Sequence, residues 1–342
     1  MCGKTVGVVW SYYRIFFHRD NKENDVTKRE NVIAAVQGEK TAYVPSGFWL
    51  HFPKDQAYGD AAVKAHVDFF RESETDIMKI MNENVVPHDI PITRASDWKH
   101  LKRFTSHAKF IVDEIDLMKR IMDRTENPGV FLLTVHGVVA SMWHARGGTD
   151  GYEEGRDMLA MHLREDPKAF SYGASVITEA LEILTQKALE AGVDGIYYAA
   201  LGGEKTLFTD EEFAQNIAPC DIAVMKAATG RKGFNVLHMC KDYLALDRYK
   251  AYPADVVNWS TFEHNISLEE GRKLFEGKAV LGGFDDRSGL LVDGTEDEIA
   301  DFARSLVKRM GKTKYILGAD CTLPTEIARE RIRVAVEAAR TC

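Results

Sequence analysis

The chain has 342 residues, 45% of them hydrophobic and 28% charged, enough apolar length for one large domain such as an α/β barrel. A net charge of −8 and a pI near 5.8 argue against a nucleic-acid binder, whose surface is normally basic. No window approaches the roughly 18 apolar residues of a membrane span, and residues 1–10 turn polar too soon for a secretory signal, so a cytoplasmic location is expected.

Residues 1–40 read as a polar arm leading into a short helix at 28–35, and residues 41–342 as one barrel domain. Eight apolar runs follow in order, at 44–49, 76–81, 130–135, 195–200, 235–240, 255–259, 279–284 and 315–318. Their mostly continuous hydrophobicity suits parallel strands buried on both sides. Helical spacing marks 106–124, 172–191 before Gly192, 295–310 and 325–341. Thr295 with Glu298 three residues on predicts a capping box, and Gly311 a stop. Eight strands alternating with helices predict a (β/α)8 TIM barrel with an N-terminal arm, whose active site lies at the strand C-terminal ends.

The five cysteines, Cys2, Cys220, Cys240, Cys321 and Cys342, are an odd, dispersed set, so reduced thiols are expected rather than a disulfide framework. Cys220 reads as a packed residue near a helix start. Two other cysteines fall where chemistry is expected. His238-Met239-Cys240 ends the fifth run, and residues two apart on a strand face the same way. Cys321 follows the eighth run. Three protein ligands with one open position describe a catalytic zinc site. Two thiolates and an imidazole leave the zinc nearly neutral and suit a thiol substrate, whose pKa would fall from about 8.5 on binding; water activation is the competing use.

Several stretches resemble the uroporphyrinogen decarboxylase superfamily, and more closely its corrinoid-linked methylcobamide:thiol methyltransferases. They are 30–35, 44–53, 191–196, 237–240, 252–259, 281–283 and 316–324, in that order. The resemblance covers about residues 28–341 and implies His238, Cys240 and Cys321 as zinc ligands. It implies methyl transfer between a methyl-corrinoid and a small thiol, with coenzyme M or homocysteine equally compatible. No Asp-x-His-x-x-Gly segment is present, so the corrinoid is expected on a partner protein; a homodimer is a further expectation. The decarboxylases carry an arginine-rich motif after the first strand to hold porphyrin carboxylates. Leu50-His51-Phe52-Pro53-Lys54-Asp55 has no arginine, which counts against that substrate. The alternatives are a cofactor-free decarboxylase-like lyase and a non-catalytic thiol- or metal-binding partner of a corrinoid system.

Other residues are read against blander roles. Glu204 is the candidate fourth zinc ligand, or a solvated loop carboxylate. His136 is a substrate contact at the mouth, or a core histidine. Asp285 is an acceptor near the site, or a helix cap. Asn258 and Trp259 end the sixth run and are candidates for lining the mouth near the corrinoid. Lys79, a charge inside an apolar run, needs a partner, for which Asp76, Asp285 or an anionic substrate are candidates.

Overall fold

The computed structural model describes residues 26–147, 152–230, 233–241, 243–264 and 266–342. The part of the expected arm at 1–25 lies outside them. The short helix is present as Lys28–Gln37, two residues longer than expected. Thr27 and Glu30 form its capping box, and Gly38 (φ 80°) ends it.

Eight parallel strands follow: β1 (Ser46–Gly47), β2 (Ile77–Ile80), β3 (Val130–His136), β4 (Gly195–Ala200), β5 (Val236–Met239), β6 (Val256–Trp259), β7 (Ala279–Phe284) and β8 (Tyr315–Ala319). Ladders join them in the order β1-β8-β7-β6-β5-β4-β3-β2. The remaining seam lies between β1 and β2. There the Asp76 amide donates to the Ser46 carbonyl (2.9 Å), and the Asp76 carboxylate accepts from the Ser46 amide and hydroxyl (2.9 Å each). With helices between the strands, this is the expected (β/α)8 barrel. The first strand is shorter than its apolar run because the ladder takes only two residues. The chain nevertheless stays tied to its neighbour beyond them, since the Trp49 carbonyl accepts from the Leu323 amide (3.0 Å).

Alternation along the strands divides the core. Ile77, Val130, Leu132, Tyr197, Val236, Val256, Ala279, Leu281 and Ile316 pack together inside the barrel as an apolar floor. Their neighbours in sequence, such as Leu133, Leu237, Val257 and Val280, pack outward in the larger cluster shared with the helices. Those helices include Lys109–Arg124, Pro167–Ala191, Glu296–Met310 and Arg329–Arg340. Pro167–Ala191 starts five residues earlier than expected, because Asp166 caps it and Pro167 suits the first turn. The predicted capping box of Thr295 and Glu298 is present. Gly59–Ser73, between β1 and β2, was not expected; it buries Ala62, Val63, His66, Phe69 and Phe70 on one face. No helix among the described residues is long and apolar enough to cross a membrane.

Candidate metal centre

The strand ends bring three thiol and imidazole ligands together. His238 is on β5 and points inward, level with Ala199 of β4 and Asn258 of β6. Cys240 lies one residue beyond β5, its amide still donating to the Ala200 carbonyl (3.3 Å). The chain then turns away at Lys241, whose φ of 88° is left-handed. Cys321 lies two residues beyond β8, where the Asp320 amide donates to the Phe284 carbonyl (2.8 Å). Cys240 Sγ is 3.9 Å from Cys321 Sγ, and Cys321 Sγ is 3.3 Å from His238 Nε2.

These edges suit zinc. Tetrahedral zinc with bonds of about 2.3 Å to sulfur and about 2.05 Å to nitrogen puts two sulfurs about 3.8 Å apart and sulfur and nitrogen about 3.6 Å apart. All three ligand atoms lie within 4.8 Å of one another, and no other such group occurs among the described residues. The Cys240 hydrogen bond, and then the imidazole, hold Cys321 well below the usual thiol range, while the same bond and burial raise Cys240.

Asn258 prepares the imidazole. Its Nδ2 donates to the carbonyls of Leu281 (3.0 Å) and Ala319 (3.1 Å), which fixes the amide orientation. Oδ1 is then the acceptor, taking the Tyr197 hydroxyl (3.2 Å) and His238 Nδ1 (2.6 Å). His238 Nδ1 must carry a proton, so in the neutral ring the lone pair is the one on Nε2, which faces the cysteines. Tyr197 also stacks on the His238 ring, centroids 5.4 Å apart.

This revises the expectation for Asn258 and Trp259. Asn258 is fully buried beneath His238 instead of lining the mouth. Trp259 points the opposite way, as adjacent strand residues must. Its ring packs on Phe275, and its Nε1 donates to the Ile266 carbonyl (3.1 Å). Glu204 is not in the trio either; it is buried in an ion pair with Arg156. Asp285 is taken up by its own turn, accepting from the Arg287 amide (2.9 Å) and the Ser288 hydroxyl (2.8 Å). Its neighbour Asp286 faces the cavity instead, its carboxyl raised to about 7 by burial and then by Cys321. Which member of this adjacent acidic pair faces inward depends on the turn and leaves no mark in the sequence. Asp76 is not the partner of Lys79, since it belongs to the β1–β2 seam and to Arg340.

A cavity of about 390 Å³ opens over the trio. His136 lines it, at the end of β3, its imidazole kept neutral by burial and by nearby His144. Sequence reasoning missed two groups on the rim. Glu83 accepts from or donates to His51 Nδ1 at 2.6 Å, according to the proton's place, and His144 packs beside His136. Glu83 lies in a stretch without apolar periodicity, which leaves no sequence signal for it.

A (β/α)8 barrel with thiol and imidazole groups gathered at and just past the C-terminal ends of β5 and β8 has them where this fold ordinarily carries its active site. The sequence pattern described as uroporphyrinogen decarboxylase (URO-D) matches residues 80–342, and the chain belongs to that family. Among solved structures, a methyltransferase from Methanosarcina mazei aligns with a TM-score of 0.69 at 14% identity, over 92% of this chain and 98% of that one. A B12-independent methionine synthase from Shewanella sp. W3-18-1, in complex with selenomethionine, aligns with a TM-score of 0.57 at 13% identity, over 87% and 97%. At such identities the likeness is one of fold. No curated protein matches the chain in sequence.

Proposed function

We propose that the protein is a methyltransferase that moves a methyl group between a corrinoid, carried by a partner protein, and a small thiol at a zinc ion held by His238, Cys240 and Cys321. The observation that carries this reading is the ligand trio with its proton placed by Asn258: two thiols and one imidazole lone pair converge under an open cavity. When bound, zinc supplies a Lewis acid that keeps an incoming sulfur as thiolate near neutral pH. The chain's own contribution is placement. Asn258 holds the imidazole, the strand ends hold the cysteines, and the cavity walls fix the direction from which a methyl donor approaches. The thiolate sulfur forms a bond to the methyl carbon as the cobalt–carbon bond breaks, and that bond's electron pair stays on cobalt.

The family's descriptive name would suggest porphyrinogen decarboxylation, but the cavity does not favour it. Among the described residues lining it, the one arginine is Arg287, which pairs with Glu263 (3.3 Å) and Asp286 (3.5 Å). Several substrate carboxylates would lack bidentate partners.

The test is zinc content, followed by turnover of methylcobalamin with small thiols. We expect about one zinc per chain in the wild type and strong loss in Cys240→Ala and Cys321→Ala. Wild-type protein free of zinc after chelator-free preparation would refute the reading, as would full zinc retention in both variants.

A further inference from the structure

Among the described residues, Lys79 is a buried lysine with no carboxylate paired to it. It lies on β2, 7% exposed, and lines the cavity that holds the cysteine–histidine trio. Among the described residues its close partners are neutral: Met81 Sδ at 2.9 Å and the ring faces of Tyr197 and Trp49, at 4.5 and 5.4 Å from Nζ. The carboxylates of the cavity are engaged elsewhere, Glu83 with His51 and Asp286 with Arg287. Aromatic faces recover part of the cost of burying an ammonium group, but not its full hydration. Burial accordingly pulls Lys79 down to about 7, against the through-space charges of Cys321, Glu83 and Cys240.

We propose that Lys79 binds an anionic group on the thiol substrate and so selects acceptors that carry a carboxylate or sulfonate besides their sulfur. The inference rests on the thiol reading above and adds the residue that reads the rest of the acceptor. The dimensions agree. Nζ lies 4.5 Å from the Tyr197 centroid, which lies 5.4 Å from that of His238. Nζ and the imidazole are thus within about 10 Å, a gap spanned by a metal–sulfur bond of about 2.3 Å, a short carbon chain and a charge-assisted hydrogen bond of about 2.8 Å. Removing Lys79 would leave an aromatic and thioether wall, which accepts a methionine in its place.

The experiment compares thiols of similar size and different charge on zinc-loaded protein: 3-mercaptopropionate, 2-mercaptoethanol and cysteamine, with binding read by titration calorimetry and metal by zinc content. The wild type should bind 3-mercaptopropionate about ten- to a hundredfold more tightly than 2-mercaptoethanol, the range of one charged hydrogen bond, and cysteamine most weakly. Lys79→Met should erase that preference while leaving 2-mercaptoethanol affinity and zinc content unchanged, and Lys79→Arg should keep much of it. A preference that survives in Lys79→Met overturns the assignment. So does an equal loss for charged and neutral thiols, which would make Lys79 only a counter-charge to the cysteines. Failure of all three thiols to bind zinc-loaded wild type would instead refute the thiol reading itself, and this inference with it.

Discussion

Asn258 and His238 show how one amide can set a metal site. The Asn258 carboxamide has both donor hydrogens committed to carbonyls of β7 and β8, so its oxygen can only accept. Asn258→Leu should keep the fold's volume yet free the His238 ring, weakening zinc affinity about ten- to a hundredfold, as loss of a ligand's hydrogen-bond partner commonly does. Competition with a chromophoric chelator measures this. An unchanged affinity would mean that the two cysteines and the Tyr197 stack suffice to hold the ring. The convergence of His238 and Cys240 was legible in the sequence because a period of two and a strand end determine which way they face. The role of Asn258 was not, because it depends on which carbonyls its amide meets across two other strands. The pairing of Glu204 with Arg156 was hidden for the same reason: a loop carboxylate and a helical arginine 48 positions apart leave no local pattern.

At the scale of elements, the barrel strands were readable and the outer helices less so. Long apolar runs marked every strand, but β1 keeps only two ladder residues of its six-residue run. Alternation then decides what each strand residue does. Trp259 faces the helices, where its ring abuts the Leu268–Leu274 helix so closely that a Cβ on Gly271 would sit 2.0 Å from it. Trp259→Ala should therefore cost about 3–5 kcal/mol of stability. It should leave zinc stoichiometry intact in whatever protein remains folded, the opposite pattern to Asn258→Leu; denaturant melts with zinc analysis separate the two. The Lys109–Arg124 helix buries Glu114 completely. Its Oε2 accepts from Asn84 Nδ2 (2.9 Å), while Oε1 has no hydrogen-bond partner. Burial raises this carboxyl to about 8. The unfolded chain releases the proton near the ordinary value of about 4.3 and the folded one holds it, so the folded state binds more protons between these limits. Glu114 thus lowers stability progressively as pH rises from about 4.3 towards 8, by up to about 1.4 kcal/mol per pH unit. Glu114→Gln should flatten that slope and be most stabilising near pH 8, as read by melts from pH 5 to 8. An unaltered slope in the variant would assign the dependence to other groups.

For the whole molecule, the trio joins parts of the chain that are distant in sequence. Cys240 and Cys321 stand 81 residues apart, and β6 and β7 lie between their strands. An ion bound there ties the second half of the barrel to itself and binds the folded state far better than the unfolded one. Zinc at a hundred times its dissociation constant should add about 2.7 kcal/mol of stability, visible as a rise in melting temperature that a chelator reverses. A melting temperature indifferent to zinc would mean that the folded ligands do not bind it.

The same distribution separates what is fixed from what can drift. His238 and its Asn258 support belong to β5 and β6, whereas His51, Glu83, Asp286 and Arg287 on the cavity wall belong to connecting segments. A descendant of this chain could exchange these four wall residues by insertion or recombination and reshape the cavity mouth, provided that Cys240 and Cys321, which stand just past β5 and β8, are kept. The outer wall of the mouth would then change while His238, Asn258 and Lys79, rooted in strands, stay where they are.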